Sequence, residues 1–170
     1  IGIVNVVDSL IAREVDCGVY CNSGVEVGVA STKSFTSQVV CLSLVAVWFA
    51  QKQGASKTLR ASVIKSLRNL SNDYARTLAQ VKRQAKALTE TLLKDTRSMF
   101  ILGKGCDKYI ADESALKIKE ISYIHTESYS ASSLKHGPFA LLDADFPVII
   151  INSEGEGGEH HGKAEQRAWL

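Results

Sequence analysis

Hydrophobic positions change their period twice along this 170-residue chain. Near the start they come as short runs: Ile3 to Val7, then Val15 to Cys21 with Gly18-Val-Tyr-Cys21 at its centre. Runs of that length read as strands. Asn22-Ser-Gly24 is a turn signal. Gly28-Val-Ala-Ser31-Thr32-Lys33 then opens a long helix from about residue 34 to Gln53. Ser31 and Thr32 suit its cap and Gly54 its stop. The most apolar stretch, Val39 to Ala50, reads as a buried helix and falls short of the roughly 18 residues of a membrane span.

From Ser56 to Leu93 the period becomes helical, with Val63, Leu67, Leu70, Tyr74, Leu78, Val81, Ala85, Leu88 and Leu92 three or four apart. Lys and Arg between them form a solvated face, and Leu70-Ser-Asn-Asp73 is the expected break. Short runs then return. Ser98 to Leu102 predicts a strand, Gly103-Lys-Gly105 a turn, and about Tyr109 to Ile124 a helix. Glu127 to Ser130 predicts a short strand, Ser132 to Pro138 a loop, and Pro147 to Asn152 a strand entered through proline. Strands alternating with helices imply an α/β fold, its parallel sheet covered on both faces. A helical middle divides two such units.

Composition narrows the class. Apolar residues make up 45% and charged residues 22%, as in soluble globular proteins. A net charge of +2 argues for neither nucleic acid nor a membrane surface. The cysteines, at 17, 21, 41 and 106, fit no paired zinc spacing and are expected as free thiols. On one straight strand, Cys17 and Cys21 would stand roughly 13 Å apart, too far for a disulfide. Ile1 already stands in a strand pattern, and Glu154 to Gly162 is polar and glycine-rich, so the expectation is a piece of a longer chain.

The candidate chemistry lies between residues 113 and 138. Glu113, Lys117 and Glu120 are spaced by four and three, so one helix face carries them, while Lys119 points elsewhere. A surface charge ladder has the same spacing. This helix, however, follows a strand and a Gly-x-Gly turn, which sets its start at the ligand-binding edge of a parallel sheet. His136 is followed by Gly137-Pro138, a tight turn able to hold an imidazole in place. A carboxylate and an imidazole in one short segment can supply base and acid for moving protons on a small metabolite. His125 is the competing histidine, with a structural reading. His160 and His161 have no third ligand nearby in sequence, so no metal site is assigned. The helix start at Gly28 to Lys33 suits an anion such as a sugar phosphate, and simple capping accounts for Ser31 equally well.

Four stretches carry a resemblance. They are Asp16-Cys-Gly-Val, Glu26-Val-Gly-Val-Ala-Ser-Thr-Lys-Ser-Phe-Thr-Ser-Gln38, Ala115-Leu-Lys-Ile-Lys-Glu-Ile-Ser-Tyr-Ile-His125, and Leu134-Lys-His-Gly-Pro138 with Ala140-Leu-Leu-Asp143 behind it. Together they closely resemble the isomerase half of the glutamine:fructose-6-phosphate aminotransferase family, from residue 1 to about 152. The resemblance implies parts of two sugar-isomerase (SIS) domains, each a Rossmann-like three-layer αβα sandwich with a mainly parallel sheet. Residues 1–53 would end the first, 54–94 connect, and 95–152 begin the second, with a divergent tail at 153–170.

That family makes glucosamine 6-phosphate from fructose 6-phosphate and glutamine-derived ammonia, with no metal or organic cofactor. The resemblance further implies a phosphosugar substrate, a homodimer in the full-length protein, a cytoplasmic location, and no nucleic-acid or membrane partner. Glu120 would move the proton between C1 and C2, Lys117 would assist it, and Glu113 would stand beside them as a substrate-binding residue. His136 would open the sugar ring in the partner subunit's site. Val29 and Ser31 would line the sugar. The chain departs from the family pattern at Ser132-Ser133, Ser114, Asp112 and Asp8, the last standing where glycine is usual. The family's glutaminase domain, its phosphate-holding serine loop and its Schiff-base lysine have no counterpart here, so the isolated chain is expected to be inactive. A phosphosugar-sensing SIS module without catalysis and a SIS deglycase are the alternatives.

Overall fold

The computed structural model describes residues 1–153, so His160, His161 and most of the polar tail lie outside the described residues. The chain divides into two compact units at Thr91/Leu92.

The first unit opens with β1 (Gly2–Val4), α1 (Leu10–Glu14) and β2 (Gly18–Tyr20). The two strands pair in parallel, Gly2 against Gly18 and Val4 against Tyr20. Both are shorter than the apolar runs suggest. Asp8 and Asn22 follow them with φ of 60° and 52°, left-handed backbone that strands do not hold. The short helix α1 was not predicted. Its signal is Ser9, whose hydroxyl accepts from the Ala12 N–H at 3.3 Å.

The long helix α2 (Lys33–Lys52) follows. It ends in a two-bond C-terminal motif: Gly54, at φ 72°, donates to the Gln51 carbonyl at 3.2 Å, and Ala55 to that of Ala50 at 2.9 Å. Its burial corrects the expectation. Only Ser34 on α2 is buried, and Trp48 is 53% exposed, so this is not a buried core helix. By length and composition α2 could cross a membrane.

The next helix, α3 (Lys57–Leu88), is capped by Ser56, which accepts from Leu59 N–H at 3.4 Å. It runs through the expected break at Leu70–Asp73. The polar side chains there bond to one another and leave the backbone ladder alone. Asn69 donates to Asp73 at 2.8 Å, and Arg76 reaches the same carboxylate at 2.9 Å. A π-helical turn, Thr89–Leu93, finishes the segment.

The second unit holds β3 (Ser98–Gly103), α4 (Cys106–Ser122), β4 (His125–Ser130) and β5 (Val148–Ile150). Its sheet is parallel, in the order β4-β3-β5, with Ser98 opposite His125 and Phe100 opposite Val148. The central strand is apolar from Met99 to Leu102 because both its faces are covered. Met99 and Ile101 pack with Ala111 and Ala115 of α4 on one side. Phe100 and Leu102 pack with Leu134, Leu142 and Phe146 on the other. That second cover begins in the segment expected as a loop, Ser132 to Pro138, and continues beyond it; the stretch forms two 3₁₀ turns, Leu134–His136 and Pro138–Leu141.

Candidate functional site

Strand β3 delivers the chain into α4 at a point where no side chain fits. A Cβ on Gly103 would lie 2.3 Å from the Asp107 carbonyl oxygen, so only glycine lets the first turn of α4 sit on the strand end. Asp107 then ties the helix start to the chain beyond β5, accepting from Ser153 N–H at 2.8 Å and Ser153 Oγ at 2.6 Å. One turn on, Asp112 receives the Lys108 ammonium and the Ser128 hydroxyl of β4. These bonds hold the Asp107 and Asp112 carboxyls below their ordinary range, through the Ser153 hydroxyl first in one case and Lys108 first in the other. The departure at Asp112 therefore has a partner on the neighbouring strand.

Ala111, Ala115 and Ile118 turn toward the sheet. On another face, Glu113, Lys117 and Glu120 meet as their spacing predicts. Lys117 Nζ donates to Glu120 Oε2 at 2.8 Å and lies 3.4 Å from Glu113 Oε1. The lysine side chain is 18% exposed. Its pKa is raised, chiefly by the hydrogen bond to Glu120 and further by Glu113, against the opposing effect of burial. Lys117 is thus an ammonium at neutral pH. A carboxylate beside a fixed ammonium can take up and return a proton while the cation offsets charge on a neighbouring oxygen.

His136 stands on a different element. Buried Leu134 pins its 3₁₀ turn, the His136 N–H donates to the Ser133 carbonyl at 3.0 Å, and Gly137 follows at φ 139°. The ring is exposed, and among the described residues no hydrogen bond or ion pair joins it to the α4 cluster. The departures at Ser132 and Ser133 shape the approach to this turn: Ser130 and Ser132 hydroxyls bond at 2.9 Å, and Ser133 N–H donates to the Ser130 carbonyl at 2.8 Å. His125 bridges strands instead, its Nδ1 3.1 Å from Ser98 Oγ and its Nε2 3.5 Å from Glu127.

Val29 and Ser31 belong to the first unit, on the loop before α2. Both are exposed, Val29 at 90%. The expected cap is not made by Ser31 or by the Thr32 side chain. Glu26, which sequence reasoning passed over, makes it: its Oε1 accepts from the N–H groups of Thr32 at 2.8 Å and Lys33 at 3.2 Å, and its Oε2 takes the Ser34 hydroxyl. The readable signal was an acid a few residues ahead of a helix start. All four cysteines are free. Among the described residues no group of three or more His, Cys, Asp or Glu is placed to hold a metal ion.

A family model described as the SIS domain matches residues 92–162, which takes in the whole β3-α4-β4-β5 unit. These residues form a SIS domain. This domain and the unit before it are similar over most of their length to glutamine--fructose-6-phosphate aminotransferases. That of Chlorobaculum tepidum is 46% identical over 153 residues, 88% of this chain and 24% of the relative. That of Encephalitozoon cuniculi is 42% identical over 151 residues, 89% of this chain and 22% of the relative. The Escherichia coli K12 protein is 41% identical over 156 residues, 92% and 25% respectively. The chain therefore spans about a quarter of the length of these relatives. Among solved structures, the C-terminal domain of glucosamine-fructose-6-phosphate aminotransferase from Francisella tularensis superposes with a TM-score of 0.85 at 34% identity, over 95% of this chain and 46% of that one. The strand and helix pattern predicts an α/β fold with a parallel sheet, the resemblance implies the SIS fold, and both agree with what is found.

Proposed function

We propose that this chain serves the isomerase half of an aminotransferase that makes glucosamine 6-phosphate from fructose 6-phosphate and glutamine, in hexosamine biosynthesis. The observation that carries the reading is the Glu113–Lys117–Glu120 cluster on α4, at 3.4 and 2.8 Å. Aldose–ketose interconversion moves one proton between adjacent carbons, which a single carboxylate can do. Glu120 is that shuttle. Lys117, kept protonated, stabilises negative charge on the sugar oxygen next to it, and Glu113 holds Lys117 in place. His136 acts on the ring oxygen to open the sugar, reaching the site of the partner subunit in a homodimer. Val29 and Ser31 contact the sugar. Residues 1–53 close a first SIS domain, 54–94 connect, and 95–152 begin a second. The match to the aminotransferases runs through α2, which supports a role for its apolar face within a cytoplasmic protein.

The test is Glu120→Gln in the intact protein. Turnover should fall by about 10²–10⁴, the range for a positioned acid–base group, while fructose 6-phosphate binding measured by calorimetry stays within a few-fold. Unchanged turnover would remove Glu120 from the mechanism.

A further inference from the structure

The loop between β2 and α2 is cinched from inside. Glu26 reaches forward to the start of α2 and accepts from Thr32 N–H, Lys33 N–H and the Ser34 hydroxyl. Lys33 reaches back, its Nζ donating to the Val25 carbonyl at 2.6 Å. Ser34 is 8% exposed, so the far end of this bridge is anchored in the protein. Between the two fixed ends, residues 27–31 bulge outward and carry exposed Val29 and Ser31.

A helix start has few unpaired N–H groups, and they attract one anion. Here the chain supplies that anion itself. A phosphate brought to the same place would lose those two donors to Glu26 and would meet a like charge. The uncharged side of a sugar meets neither obstacle, and the two residues presented there, a valine and a serine, are an apolar contact and a hydroxyl partner.

We propose that Glu26 is a positioning residue: it fills the anion place at the start of α2 and so holds Val29 and Ser31 toward the uncharged part of a sugar phosphate, keeping the phosphate itself away from this helix. The proposal rests on the reading above that residues 29 and 31 meet the sugar. It separates two tasks that one loop would otherwise confuse, holding the ring and holding the phosphate.

Two measurements on the intact protein decide it. In the first, inorganic phosphate is titrated through the millimolar range while the amide resonances of Thr32 and Lys33 are followed. No saturable shift is expected, and a saturable shift overturns the proposal. This needs no variant, so a folding defect cannot spoil it. In the second, Glu26→Gln should speed amide exchange at Thr32 and Lys33 and weaken fructose 6-phosphate binding, each about tenfold for the loss of bonds to a charged acceptor. Helix content by circular dichroism should not change. Faster exchange with unchanged sugar affinity would show that Glu26 does not position the sugar contacts, and unchanged exchange would show that it does not hold the loop. If the unsubstituted intact protein fails to bind fructose 6-phosphate, the functional reading falls, while the phosphate and exchange results still decide whether Glu26 closes the helix start.

Discussion

The two units hold similar apolar runs and treat them differently. In the second, Met99, Phe100, Ile101 and Leu102 are each 0–2% exposed, pressed between α4 and the 3₁₀ segment. In the first, Val4 is the buried apolar residue among those described, while Leu42, Leu44, Trp48, Leu59, Tyr74 and Leu78 are exposed. A hydrophobic period shows which face of an element resists water. It does not show whether the same chain provides the cover. Strand β3 receives cover on both faces within some fifty residues of sequence. The stripes on α2 and α3 find only part of theirs.

The sharpest way to break this contrast is to remove one large side chain from each unit. Phe100 lies 5.1 Å from the Tyr129 ring and 4.7 Å from that of Phe146, ring centre to ring centre. Phe100→Ala should cost about 4 kcal/mol, the usual loss for a buried aromatic. Leu78→Ala should cost under about 0.5 kcal/mol, because a half-exposed helix leucine leaves no cavity. Urea unfolding, with amide exchange resolved to peptides of each unit, reads both. A Leu78→Ala loss as large as that of Phe100→Ala would mean that the α3 stripe is covered, and the contrast would collapse.

Acid probes the polar ties of both units, with a smaller effect. Glu26, held low first by the Ser34 hydroxyl, Asp107 and Asp112 all have folded pKa values below their unfolded ones. Such groups stabilise the fold above the unfolded pKa, about 4, and lose that contribution as pH falls through the folded value. Lys117 has the opposite sign: its raised pKa contributes below the unfolded value and is lost only as pH climbs through the folded one. Thermal melts should therefore be flat from pH 7 to about 5 and fall below about pH 4. In the first unit the change should begin at the Glu26 loop, in the second at the Ser153 and Ser128 ties to α4. Stability unchanged down to pH 2.5 would show that these bonds are not held in solution.

The same contrast explains what the sequence could tell. Elements with several turns or a full apolar run were legible: α2, α3, α4 and β3 fall where their periods place them. The cluster Glu113–Lys117–Glu120 was legible because helix geometry alone converts a spacing of four and three into one face. Helix α1 has five residues, too few to show a period. The break expected at Leu70–Asp73 is absent because Asn72 and Asp73 each bond to Asn69 on the helix surface. Glu26 and Asp112 were missed for a further reason. The Glu26 partners lie six to eight residues ahead across a loop, and the Asp112 partner on β4 lies sixteen ahead, so no local rule connects them, whereas the Lys108–Asp112 pair follows the four-residue helix spacing.

The smallest effect concerns Asp8, and it sharpens the contrast from the strained side. The resemblance implies glycine there, and φ of 60° is left-handed backbone, which costs an ordinary residue roughly 1 kcal/mol, somewhat less for Asp. What Asp8 offers in return is an ion pair with Arg13 at 3.8 Å, both side chains more than half exposed. Pairs of that kind contribute close to nothing. Asp8→Gly relieves the strain but frees the unfolded chain, and the two nearly cancel, leaving a gain below about 0.5 kcal/mol. A small rise in Tm is the expected reading. A fall of more than about 1 kcal/mol would mean that the Asp8 side chain does more than this exposed turn shows, and that the first unit is held together at its edge and not by the face of β1. In the second unit the comparable constraint, at Gly103, is a backbone contact under a helix, and there strain and core cannot be separated.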